Sequence, residues 1–177
     1  MHVVAESVSP TELARRIDHS LLRPEATAAD IARLCDQAVQ WRFYAVCVNP
    51  IFVSLAARHL QRQPVRICSV AGFPLGAEPL ATKIDQARRA IDDGADEIDM
   101  VVHLAALISG DADALRREIS AVAELVHSAS PQHVLKVILE TAALDRQQMR
   151  LGCQCARQAG ADFVKTSSGF HPAGGAT

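Results

Sequence analysis

Residues 133–168, HVLKVILETAALDRQQMRLGCQCARQAGADFVKTSS, decide the fold class. HVLKVILE and DFVKTSS are short apolar runs, and the DRQQMRLGCQCARQAG between them has the length and polarity of a surface helix ending at Gly160. Strands apolar at nearly every position are buried on both faces, as in parallel sheets, and their crossover connections are normally helices. Yet each run contains a lysine, Lys136 and Lys165. An ammonium in such a strand is costly unless it meets a partner or a solvated cavity.

The same alternation extends towards the N-terminus. Ser9, Pro10 and Glu12 spell a capped helix start, and RIDHSLL follows as a short strand. Thr27 and Asp30 cap a helix through ADIARLCDQAVQW, with apolar positions at 31, 34, 35 and 38. YAVCVN is an apolar run, Asn49-Pro50 opens a helix through FVSLAARHLQ, and VRICSVAGF is the next strand. A helix over about 79–92 ends near Gly94, before strand DEIDMVV and helix ADALRREISAVAELVHS. Six strand-like segments thus start near residues 17, 44, 65, 96, 134 and 162. A doubly wound open sheet and a (β/α)8 barrel both accommodate this order. No G-x-G-x-x-G or Walker-type loop follows the first strands, which weakens the nucleotide-binding open sheet. Asp18, Asn49, Asp99, Lys136, Glu140 and Lys165 all lie in or at the ends of apolar strands. A barrel gathers such residues at one active-site mouth, so it explains several charges with one cavity.

The 177 residues, 49% apolar and 21% charged, suit a single soluble domain. A net charge of −2 argues against a general nucleic-acid or membrane-surface binder, which needs a basic face. Apolar runs fall far short of the roughly 18 residues of a membrane span. The start, MHVVAESVSPTELARRID, has no basic segment followed by an apolar one, so no secretory leader is expected. Cys35, Cys47, Cys68, Cys153 and Cys155 form an odd set without zinc spacing, as expected of free thiols in a reducing cytoplasm. Of 18 basic residues, 15 are arginine and three are lysine: Lys83, Lys136 and Lys165. A chain that meets its need for positive charge with arginine keeps lysine where a deprotonatable amine matters.

Lys165 is the sharpest candidate. A strand-end lysine also serves merely to snorkel or to pair with a carboxylate. With Lys136 in the preceding strand, however, a neighbouring cation is expected to lower the Lys165 pKa and free its amine to attack a carbonyl. Asp99 adds a carboxylate able to move protons during imine formation. Of Asp96 and Glu97, at least one is expected to be a solvated charge. Glu140 with Thr141 reads first as structural support, either holding Lys136 or lining the mouth. Cys47 reads as core-facing or cavity-lining. His19 and His103 show no metal spacing, and Lys83, within ATKIDQARRA, reads as an exposed helix cation.

IDHSLLRPEAT, AVCVNP, SVAGFPLG, ATKIDQARRAIDDGADEIDMVV, LKVILETAAL and AGADFVKTSSGF, in this order, resemble the deoxyribose-phosphate aldolase family. The resemblance runs along nearly the whole chain after the first dozen residues. It implies a (β/α)8 barrel and a class I lyase that needs neither metal nor cofactor. The implied reaction reversibly cleaves 2-deoxy-D-ribose 5-phosphate to D-glyceraldehyde 3-phosphate and acetaldehyde. Carried over by position, Lys165 is the Schiff-base nucleophile, Asp99 the general acid/base, Lys136 its electrostatic neighbour, and Asp18 part of a water network. Cys47, Ser20, Thr166, Ser168 and Gly169 line the substrate. Arg23, Asp85, His103, Ile108 and Ser168 depart from the residues usual in the family. The family continues past its GGAT loop with KASGG-type and GTSS-type strands, including a lysine beside the Schiff-base lysine and much of the phosphate site. The resemblance therefore implies that residues 1–177 form one aldolase-type barrel domain, incomplete at its C-terminus, with about six of eight βα units. The implied partners are a sugar phosphate and acetaldehyde, without nucleic acid or membrane. Two open edges leave room for a homodimer or for a remnant acting mainly through self-association. Another sugar-phosphate enzyme on the same barrel is the further alternative.

Overall fold

The computed structural model describes residues 8–175. Residues 1–7, the opening of the segment read for a leader, and the last two residues of the GGAT tail lie outside them. Six strands carry the fold: β1 (Asp18–Leu21), β2 (Ala45–Val48), β3 (Arg66–Ala71), β4 (Glu97–Val101), β5 (Val134–Ile138) and β6 (Phe163–Lys165). Seven α-helices are described: α1 (Pro10–Ala14), α2 (Ala28–Trp41), α3 (Val53–His59), α4 (Leu80–Asp92), α5 (Leu104–Ser109), α6 (Ala112–Ala129) and α7 (Arg146–Gln158). The helix starts follow the local chemistry. Ser9, Thr27 and Asp145 each form a reciprocal capping box with the residue three positions on, Glu12, Asp30 and Gln148. Asn49-Pro50 opens a 3₁₀ turn over Pro50–Phe52 before α3. Gly94, at φ +106°, takes the left-handed conformation that ends the α4 segment.

The strands are parallel and ordered β1-β2-β3-β4-β5-β6, as successive right-handed βα units produce. In a flat sheet, β1 and β5 would stand four spacings apart, about 19 Å. Instead, Lys136 of β5 reaches Asp18 of β1 with an Nζ–Oδ2 distance of 2.7 Å. The sheet is therefore curled into most of a (β/α)8 barrel, open between β1 and β6. Its convex face carries Val46, Val48, Ile67, Ile98, Met100, Leu135 and Val137. These pack with Ile31, Leu34, Leu115, Ile119 and Val122 of the helices as the main core. Among the described residues, no helix is long and apolar enough to cross a membrane.

Two sequence expectations need correction. α5 was not anticipated as a separate helix. Its six residues are too few to show a period, and Gly110, at φ +78°, separates it from α6. Lys83 is not an exposed helix cation: it is fully buried, with its Nζ 2.6 Å from Glu118 Oε1. α4 is covered by α6, so the side of a largely polar helix that holds Lys83 faces inward, and Glu118 makes its burial tolerable.

Candidate active site

Side chains alternate between the two faces of a strand, and register partners in a parallel pair share a face. Asp99 pairs with Lys136, Lys136 with Phe163, and Ile138 with Lys165. Ser20 pairs with Cys47, Cys47 with Cys68, and Cys68 with Glu97. The period of two therefore sends Asp18, Ser20, Cys47, Arg66, Cys68, Glu97, Asp99, Lys136 and Lys165 to the concave face. The convex positions between them, His19 apart, are apolar residues of the core. This is why charge and near-continuous hydrophobicity coexist in the same strings.

The concave face holds one connected array of charges. Lys165 Nζ donates to Asp99 Oδ2, and Lys136 Nζ lies 3.3 Å from Asp99 Oδ1. Lys136 also contacts Asp18 Oδ2 at 2.7 Å and Glu97 Oε2 at 2.5 Å. Glu97 continues the array to Arg66 Nε at 3.0 Å, and the Arg66 guanidinium sits 5.9 Å above the centre of the Tyr44 ring. The two Glu97 contacts are ion pairs without hydrogen-bond alignment. Arg66, Lys136 and Lys165 face Asp18, Glu97 and Asp99, so three basic and three acidic side chains share the interior with formal charges in balance. Glu97 and Asp99 are almost completely buried, and Lys165 and Arg66 are the accessible members, with side chains 31% and 29% exposed.

This pairing sets the protonation states. Burial pulls the Lys165 amine down, but the Asp99 charge and hydrogen bond more than reverse it, so its pKa is raised. For Lys136, burial is likewise outweighed, by the Cys68 sulfur at the alkaline pH where it ionises and by the Asp99, Glu97 and Asp18 carboxylates, and its pKa is raised. The expected lowering of the Lys165 pKa is therefore not a property of this resting state. The carboxylates around Lys136 neutralise the cation that was to exert it. Lys165 rests as an ammonium whose proton is already directed at Asp99.

Beside the charges lies a small apolar wall of Cys47, Cys68 and Val70, with Leu22 and Phe73 packed on it. Burial, then the Cys47 thiol and Asp99, push the Cys68 thiol well up, so it is neutral. The ligand atoms of Cys47, Cys68 and Asp99 lie within 4.8 Å of one another. As donors for an ion they fit poorly: Cys68 keeps its proton, and the Asp99 carboxylate is shared by two ammonium groups. A cavity of about 500 Å³ opens onto the array, lined by Arg15, Arg16, Asp18, Glu97, Lys136 and Lys165 with Tyr44, Phe163 and Val164.

The other expected residues divide. Cys47 belongs to the wall. Ser20 lies on the same face, with its hydroxyl donating to the Asp18 carbonyl at 3.1 Å. Thr166, Ser168 and Gly169 follow β6 in the loop at the strand ends. The Ser168 backbone N–H and hydroxyl both donate to Glu140, the hydroxyl at 2.5 Å. Glu140 thus supports the loop after Lys165 rather than holding Lys136. Asp96 is half-buried and accepts the Ile67 N–H at 2.8 Å, so neither it nor Glu97 is a free surface charge. Glu97, Arg66 and Cys68 were missed as site residues. Part of their signal was available: Glu97 shares strand parity with Asp99, whereas Arg66 and Cys68 share parity only with one another, in a strand that held no selected residue.

The family model for the DeoC/LacD family aldolases matches residues 13–175. The chain is 48% identical over 168 residues to a deoxyribose-phosphate aldolase of Thermococcus gammatolerans, covering 94% of this chain and 73% of that one. It is 49% identical over 166 residues to one from Streptococcus gordonii, with the same coverages, 94% and 73%. A tetrameric deoxyribose phosphate aldolase from Aeropyrum pernix overlays with a TM-score of 0.85 at 38% identity, covering 92% of this chain and 67% of that one. A Coccidioides immitis structure overlays with a TM-score of 0.86 at 37% identity, and there the chain spans 63% of its relative.

Proposed function

Because the chain belongs to the DeoC/LacD family of aldolases, we propose that it catalyses the reversible cleavage of 2-deoxy-D-ribose 5-phosphate to D-glyceraldehyde 3-phosphate and acetaldehyde. We read Lys165 as its Schiff-base nucleophile and the mechanism as class I, requiring no metal. The observation that carries this reading is the direct Lys165–Asp99 pair, with Lys136 on the other carboxylate oxygen.

The steps follow from that pair. As the open-chain aldehyde enters and displaces water, the charged pair loses solvation. Transfer of the Lys165 proton to Asp99 then gives a neutral amine and a neutral acid. The amine attacks C1, and Asp99 returns the proton to the departing hydroxyl, leaving a protonated imine and water. A base removes the C3 hydroxyl proton, the C2–C3 bond breaks, and its electron pair enters the imine to form an enamine. D-Glyceraldehyde 3-phosphate leaves at this point. Protonation of the enamine at C2 and attack of water on the imine release acetaldehyde and regenerate Lys165. Asp99 is placed for the transfers at nitrogen. Asp18, held by Lys136, takes the role of ordering water, and the Cys47–Cys68–Val70 wall faces the small apolar end of the substrate. Lys136 holds the other Asp99 carboxylate oxygen in place between steps.

We read residues 1–177 as one barrel-type domain. A reducing, cytoplasmic setting suits its five free cysteines, and the unpaired edges of β1 and β6 are where a second copy would associate to form a homodimer. Borohydride reduction in the presence of acetaldehyde or the sugar phosphate tests the catalytic assignment. Peptide mapping is expected to place a reduced two-carbon adduct on Lys165 and to lose it in Lys165→Ala. An adduct that survives Lys165→Ala, or no adduct in the parent protein, overturns it.

A further inference from the structure

The most completely buried cation of the molecule is Lys83 on α4, outside the reacting array. Its ammonium has three protons and three acceptors: Glu118 Oε1 at 2.6 Å, the Gly76 carbonyl at 2.9 Å and the Val101 carbonyl at 2.8 Å. Glu118 passes the connection on, its Oε2 accepting the His103 backbone N–H at 2.9 Å. One ion pair thereby ties α6 to the β3–α4 loop, the last residue of β4 and the turn into α5. These segments follow the ends of the strands that carry Cys68, Val70 and Asp99.

The loop has almost no freedom around this knot. A Cβ at Gly76 would lie 2.0 Å from the Val102 carbonyl oxygen, and one at Gly72 would lie 2.7 Å from Lys83 Cε. Gly72 also donates its N–H to Gln86 Oε1 at 2.7 Å, adding a second tie to α4. The residue between these anchors that faces the site is Phe73. Its ring packs on the Cys47–Cys68–Val70 wall and meets Phe170 edge-on, with centroids 5.3 Å apart and planes at 81°. Phe170 belongs to the loop that follows Lys165.

We propose that Lys83 and Glu118 are positioning residues for the aldol reaction. Their ion pair holds Phe73 over the apolar wall and fixes the end of β4 two residues beyond Asp99. The proposal deepens the function above and rests on it: the carbonyl carbon must be held against Lys165 while its apolar end lies on the wall. A misplacement near 1 Å is enough to lose about 100-fold in rate.

Glu118→Gln and Lys83→Met test it. The glutamine keeps the shape of Glu118 but has one acceptor oxygen, so it cannot serve both Lys83 and the His103 N–H; it also guards against a methionine variant that does not fold. Two readouts are needed. Hydrogen–deuterium exchange of segments 72–76 and 101–104 reports the loop independently of turnover, and is expected to quicken at least 10-fold in the variants, roughly the gain from losing one or more hydrogen bonds. The amount of Lys165 trapped by borohydride at saturating acetaldehyde counts the active sites and normalises kcat; KM is independent of that count. The KM for the sugar phosphate is expected to rise about 10-fold, with the pH profile of kcat unchanged. A purely architectural pair would lower the trapped fraction and leave KM alone. Unchanged exchange, or unchanged KM, overturns the proposal. Absence of trapping in the parent protein instead overturns Lys165 as nucleophile, and the exchange result still decides whether the pair holds the loop.

Discussion

At the scale of single residues, the distinctive feature is one buried carboxylate shared by two ammonium groups. Asp99 makes Lys165 a better-held ammonium in the resting state, and in the proposed reaction it accepts that proton when substrate arrives. Asp99→Asn separates these roles. Without the carboxylate, burial is opposed only by the Cys47 and Cys68 sulfurs, and the Lys165 pKa falls from its raised value. The acid limb of imine formation then moves to lower pH, measured as the pH dependence of borohydride trapping. Turnover is expected to fall about 10²- to 10⁴-fold, the usual weight of a general acid/base. The sign for stability follows from the same shift. A raised folded-state pKa contributes stability that is fully present below the ordinary lysine value and is lost as pH rises through the folded one. Asp99→Asn should therefore cost stability at neutral pH and much less at strongly alkaline pH, as urea unfolding at several pH values will show. Lys136, Lys165, Asp99 and Asp18 were legible as residues because each interrupts an apolar strand string. Their protonation was not legible: it depends on Glu97 and Asp18 converging on Lys136 from two other strands.

At the scale of elements, α4 and α6 are joined by a charge pair where hydrophobic packing would ordinarily suffice. Removing one partner strands the other without water. Lys83→Met is accordingly expected to destabilise the fold by about 3–5 kcal/mol, while Lys83→Met/Glu118→Leu recovers a large part of that loss, because no buried charge remains. Urea midpoints of the two variants and the parent provide the comparison. A double variant as unstable as the single one would mean that the hydrogen bonds to Gly76, Val101 and His103, rather than the uncompensated charge, dominate the cost. Local signals gave the elements themselves well. The six strands begin within a residue of where their apolar runs do, and the Ser9, Thr27 and Gly94 boundaries hold. The inward side of α4 was illegible for a physical reason. In LATKIDQARRAID, polar residues occupy most positions, and the one that turns inward does so for a glutamate 35 positions away in sequence.

At the scale of the whole molecule, the curl of the sheet and the chemistry are the same fact. Asp18 sits on β1, which is paired only with β2, and its link to Lys136 crosses the hollow between β1 and β5. That link does two things at once: it draws the β1 edge inward, and it supplies one of the three carboxylates that balance the array. Asp18→Asn keeps the side-chain shape and removes the charge. Lys136 remains paired with Glu97 and Asp99, so the core of the array survives and the fold is retained. The expected loss is about 1.5–3 kcal/mol, the weight of a hydrogen bond to a charged group. It should be spent locally, since a single backbone ladder, β1 to β2, holds that edge. Amide exchange over residues 18–21 is therefore expected to accelerate strongly, while β3, β4 and β5 exchange as before. Activity should fall with it, by about 10-fold or more, because in the proposed mechanism Asp18 orders the water with its charge, while Lys165 can still be trapped. If exchange quickens evenly across all six strands, the Lys136–Asp18 contact is a strut of the entire barrel rather than a latch on its open edge. If neither exchange nor turnover changes, the curl is set by the convex-side packing of the helices alone, and the concave charges merely occupy the shape that packing creates.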